Sequence, residues 1–134
     1  MKLSRAGVGL AGTLVLVIAV AACGGGSSTV PNPSPPDASL LARGEEVFAT
    51  SCAECHGADL RGTDQGPSFL SIVYEPDHHA DIAFLLAAQR GVGQHHWRFG
   101  DMPPVDGVSE DDIAAIVAFV RETQSTEGFE PYPP

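Results

Sequence analysis

Cys52-Ala53-Glu54-Cys55-His56 is the stretch on which the reading of this chain turns. Two cysteines three apart near a helix start can reach the two vinyl groups of one haem and form thioethers. The adjacent histidine then points at the iron as the proximal ligand. Closely spaced cysteines serve two other chemistries. A thioredoxin-like redox pair needs a βαβ setting, and no convincing period-2 alternation supplies strands here. A zinc site needs two more ligands, which the later histidines would have to provide.

Outward toward the N-terminus, the count of cysteines closes the argument. The chain of 134 residues holds only three, so apart from the motif there is only Cys23. Lys2 and Arg5 form a short basic start, and an uncharged apolar run follows from Ala6 to Ala22. The small residues Val20-Ala21-Ala22 lead into Cys23, which resembles the lipobox of bacterial lipoproteins, with valine where leucine is more usual. That resemblance implies a signal peptide over 1–22 and a lipidated Cys23. The alternative is an uncleaved transmembrane anchor. Either reading places the rest of the chain outside the cytoplasm and tethered to a membrane. No cysteine is left for a structural disulfide, although that compartment permits one.

Without residues 1–22, five arginines and no lysine face 17 acids, a formal charge of −12. Such a chain repels phosphate backbones, which argues against nucleic acid as a partner and for a redox partner with a basic docking face. Residues 23–38 are Gly/Ser-rich and then Pro-rich, a linker with too little apolar surface to fold. Taken as a coil of about 15 residues, it reaches on the order of 20 Å.

The folded domain is expected over 39–124, with a loose tail over 125–134. Three main helices are predicted. The first covers about 39–53, starting at Asp37 or Ser39. The second follows Glu75-Pro76-Asp77, begins at His78-His79, presents Ile82, Leu85 and Leu86 on one face, and stops at Gly91. The third has Ser109 as N-cap, Asp112 three residues on as in a capping box, and Ile113, Ile116, Val117 and Val120 on one face. Two long loops, about 57–74 and 91–107, are unusual in so small a domain unless something packs against them.

At this point the chain resembles the class I cytochrome c family over most of its folded part. Gly44 and Phe48 match that family's small-residue and aromatic positions, where the first helix crosses the last against residues corresponding to Ile116 and Phe119. Gly66-Pro67 matches its Gly-Pro, whose proline carbonyl accepts a hydrogen bond from the proximal histidine. Met102-Pro103 matches its distal-ligand motif. The resemblance implies a small all-α fold wrapped around one covalent haem c, with His56 and Met102 as axial ligands. It implies an electron carrier rather than an enzyme, either free or as a haem subunit or domain of a respiratory complex. Met102 is also the only methionine after the initiator, although a core methionine filling a gap would read the same way.

The histidine pairs depart from the family pattern. His78-His79 and His95-His96-Trp97-Arg98 add four histidines to a small domain. They read as polar capping around loops, or, for Trp97 and Arg98, as donors to a haem propionate. Two sharper readings are His95 or His96 replacing Met102 on the iron, and the pairs converging on a second metal such as copper. A third possibility for the site is that Met102 dissociates and the iron takes a small ligand.

Overall fold

In the computed structural model, residues 37–132 are described. The expected signal peptide over 1–22, the expected lipidation site Cys23 and nearly all of the expected linker lie outside them. The described residues are helical: α1 (Ala38–Ser51), α2 (Ala53–His56), a 3-10 turn (Ile72–Tyr74), α3 (Asp81–Arg90) and α4 (Glu110–Glu127). Among them strand pairing is confined to two isolated bridges, Ser71 with Glu130 and Val92 with Met102. The all-α expectation therefore holds, and with it goes the setting a thioredoxin-like pair requires.

Asp37 caps α1, its carboxylate accepting the Ser39 N–H at 2.8 Å. The helix thus begins inside what the sequence suggested was linker. It breaks at Cys52, whose φ of −127° departs from helical values. The chain re-enters helix only for the one turn that carries Cys55 and His56.

α4 is the backbone of the core. Ser109 and Asp112 form both halves of the capping box, and Ile113, Ile116, Val117 and Val120 are all buried. α1 crosses α4 at Gly44, where a Cβ would lie 2.1 Å from the Ala115 carbonyl oxygen and 2.8 Å from Phe119 Cβ. Only glycine permits that approach. One turn on, Phe48 (1 % exposed) meets Phe119 at a 5.7 Å ring separation and Phe69 at 6.0 Å. The Arg43 guanidinium pairs with Asp112, adding a rim contact between the same two helices.

α3 differs from its sequence reading in two ways. It begins at Asp81, and His78-His79 sit in the preceding turn, both with backbone N–H groups bonded to the Glu75 carbonyl. Its inward face is Phe84, Leu85 and Ala88, while Ile82 is 57 % exposed. Helical spacing allows either stripe, and the direction from which α4 approaches selects this one.

The C-terminal end differs as well. α4 runs to Glu127, beyond the expected end, and the segment after it is held rather than loose. Glu130 donates to the Leu70 carbonyl and accepts from Ile72, and the Tyr132 hydroxyl donates to the His96 carbonyl at 2.7 Å. These bonds clip the C-terminus onto both long loops. No helix of the described residues is long and apolar enough to cross a membrane.

Candidate functional site

The two long loops and the helices between them enclose a cavity of about 870 Å³. That is near the upper end of the roughly 300–1,000 Å³ range of small-molecule pockets. Cys52, Cys55, His56 and Met102 all line it, against an apolar wall that includes Phe69, Leu86, Ile113 and Ile116. Leu86, 36 % exposed, is therefore turned toward the cavity rather than stranded on the surface.

His56 is oriented from behind. The loop after α2 folds back so that Gly62 donates to the His56 carbonyl at 2.8 Å and the Thr63 hydroxyl donates to the Cys55 carbonyl at 2.7 Å. Gly66 then passes against Cys55, where a Cβ would meet its carbonyl oxygen at 2.8 Å. That close pass delivers the Pro67 carbonyl to His56 Nδ1 at 2.9 Å. A carbonyl only accepts, so Nδ1 carries the proton and Nε2 keeps its lone pair for a metal. Burial holds the imidazole below the ordinary histidine pKa, opposed by the Pro67 bond, so the ring is neutral as a ligand must be. The ring stacks on Phe69 at 4.3 Å. Leu60 anchors the same loop in a left-handed conformation (φ 63°), a backbone strain of about 1–2 kcal/mol offset by its near-complete burial.

Cys52 has its thiol pKa pushed up to about 11, chiefly by burial and then by the Cys55 charge. A redox dithiol works through a depressed pKa, so this environment argues against thiol–disulfide exchange.

On the other loop, Val92 and Met102 exchange both backbone bonds at 2.9 Å, and Val105 donates to the Ala88 carbonyl at 2.8 Å. Gln94 N–H bonds the Asp101 carboxylate at 2.9 Å and closes the excursion between them. Met102 is thus held at a fixed place on the cavity wall. Trp97 also lines the cavity, and its buried indole N–H is without a protein partner among the described residues. A buried orphan donor of this kind calls for an acceptor from a bound group. Arg98 is exposed and outside the cavity wall; His95 and His96 are part of it. Two thiols, a neutral imidazole, an apolar wall and one orphan donor together fit haem c.

One residue was missed at the sequence level. Arg121 on α4 donates to the Tyr74 and His79 carbonyls, each at 2.6 Å, and to Gln124 Oε1 and Asp81 Oδ1, each at 2.8 Å. Its guanidinium also lies 5.2 Å from the centre of the Phe84 ring. It is the sole basic residue of its helix, a signal that was available but points to no partner. Arg121→Leu keeps the apolar stem and strands two carbonyls, so a loss of about 3 kcal/mol in denaturant unfolding of the haem-loaded protein is expected. A loss under about 1 kcal/mol would show this latch to be dispensable.

The profile of the cytochrome c family matches residues 41–124. Cytochrome bc1 complex cytochrome c subunits of Mycobacterium tuberculosis and Mycobacterium bovis are 39 % identical over 121 residues, covering 84 % of this chain and 40 % of theirs. The Mycobacterium leprae subunit is 38 % identical over 116 residues, covering 81 % of this chain and 38 % of its own. This chain thus spans about two fifths of the length of these relatives. With the attachment cysteines, the oriented histidine and the family match all falling on the same residues, the chain belongs to the cytochrome c family and carries covalent haem c.

Proposed function

We propose that this protein is a membrane-tethered, extracytoplasmic electron-transfer domain of a respiratory chain, with His56 and Met102 as the axial pair of its haem. The observation that carries the reading is that Cys52, Cys55, His56 and Met102 share the wall of one apolar cavity. When attached, haem c supplies a one-electron iron couple.

The chain's own part is positioning. Cys52 and Cys55 fix the group covalently, and the Pro67 carbonyl fixes the His56 tautomer and raises its basicity. Met102 offers a soft, neutral thioether, which favours the ferrous state and raises the potential. The Trp97 N–H, unpartnered on the cavity wall, would serve as a donor to a haem propionate. With two axial ligands no coordination position is left for a substrate, which fits a carrier rather than an enzyme. The apolar wall keeps water from the centre and lowers the local dielectric.

The names of the relatives favour a place in or beside a cytochrome bc1 complex. On this reading the domain carries electrons from a dehydrogenase or quinol-oxidising complex to an oxidase or reductase. Cys23 as lipid anchor confines the domain to that membrane and raises its effective concentration near its partners. The acidic chain suits a docking face of basic character on the partner.

The test is spectroscopic. The oxidised haem-loaded protein is expected to show the weak red band of a thioether bound to ferric iron. Met102→Ala is expected to lose that band and to lower the reduction potential. A parent protein without the band, or a variant that retains it, removes Met102 from the iron and returns His95 or His96 as the distal ligand.

A further inference from the structure

The histidine pairs, 17 residues apart in sequence, converge. One imidazole nitrogen from each of His78, His79 and His96 lies within 4.8 Å of the others. His78 Nε2 and His96 Nε2 are 3.2 Å apart. Two nitrogens bound to one tetrahedral metal at 2.0–2.1 Å stand about 3.3 Å apart, so this spacing already matches a ligand pair.

The third ligand is prepared in the way metal histidines commonly are. His79 Nδ1–H donates to the Val73 carbonyl at 2.7 Å, which fixes the tautomer and leaves Nε2 with its lone pair. The backbone behind each half is pinned: Arg121 holds the His79 carbonyl and Tyr132 holds the His96 carbonyl. Burial first, and then neighbouring histidines, keep His79 and His96 below the ordinary histidine pKa, although the Val73 bond opposes this at His79. Neutral imidazoles are what a metal requires. His95 stacks near His79 at 5.9 Å but stands outside the converging set.

We propose that His78, His79 and His96 form a binding site for one divalent copper or zinc ion at the rim of the haem cavity, with a remaining position open to water. Imidazole nitrogen suits both ions, and a three-histidine set with an open position is a well-precedented zinc geometry. His79 and His96 also line the cavity, whereas His78 is exposed outside it, so the ion sits at the mouth and not on the iron.

The test uses haem-loaded protein stripped with a chelator. Titration with zinc, followed by calorimetry, is expected to saturate at one ion per haem. Copper(II) is expected to show nitrogen hyperfine structure from several imidazoles by electron paramagnetic resonance. His78→Ala and His96→Ala should each weaken binding by more than the roughly 10–100-fold that loss of an outer-shell partner costs. His95→Ala should weaken it far less. Haem content and the visible spectrum, read in parallel, should be unchanged by His78→Ala and His96→Ala. No saturable binding, equal binding by parent and variants, or a change in the iron's ligand spectrum on His96→Ala would each overturn the proposal. A change in that spectrum would assign His96 to the haem instead.

Discussion

Cys52→Ser combined with Cys55→Ser is expected to yield a protein from which all haem is lost on a denaturing gel, together with most of its thermal stability. Both thiols stand on the cavity wall, and no other cysteine lies in the folded domain to substitute for them. The stability effect follows from the size of the cavity. Covering a large apolar wall with a cofactor, at roughly 25 cal/mol per Å², contributes several kcal/mol. A small domain has a total of only about 5–15 kcal/mol. Single replacements should be milder, since one thioether still holds the group in place. Haem staining after denaturation and thermal melts by circular dichroism measure the two effects separately. Retention of stain in the double variant would show attachment elsewhere and remove the motif's role.

Gly44→Ala is the second large effect, and its sign is informative. In an open helix the change would stabilise by about 1 kcal/mol, because alanine is the better helix former. Here the new methyl meets the Ala115 carbonyl oxygen at 2.1 Å and Phe119 Cβ at 2.8 Å. The first of these is backbone within α4, which cannot rotate away. α1 must therefore lift off α4, loosening Phe48 from its ring partners. Overpacking of this kind costs about 1–3 kcal/mol, occasionally more. A net loss of about 2–3 kcal/mol of unfolding free energy, read as a lowered denaturant midpoint of the haem-loaded protein, is expected, and more for Gly44→Val. An unchanged or raised midpoint would mean that the helix crossing is loose.

Both effects rest on features that were legible in the chain. The attachment motif is local, with its chemistry complete within five residues. Gly44 and Phe48 were legible through the family resemblance, and the α4 stripe because helical periodicity carries the information about which face is buried. The capping box at Ser109 was legible for the same reason, since its partners are three residues apart. Helix ends were less legible. Asp37 could be named as a cap, but the break at Cys52, where the backbone leaves helical values before the turn that carries His56, left no signal in the residues. The start of α3 at Asp81 rather than at His78 follows from a turn closed on the Glu75 carbonyl, which propensity does not register.

By itself, then, the sequence determined the haem motif, the helical class and the face on which the last helix packs, because each depends on residues within a turn or two of one another. Only the tertiary structure decided what the intervening loops bring together. It places the Arg121 latch on His79 across 42 residues, whereas the Pro67 contact with His56 across 11 was already implied by the family resemblance. It also sets the orphan N–H of Trp97 on the wall of the haem cavity and brings His78 against His96 across 18 residues. The physical reason is that such contacts depend on the path of the whole chain. Closing a loop costs entropy but leaves no periodic trace in the residues it joins. The attachment site was thus written in five residues, while the metal-binding geometry proposed at its rim exists only once two distant loops have folded over the same cavity.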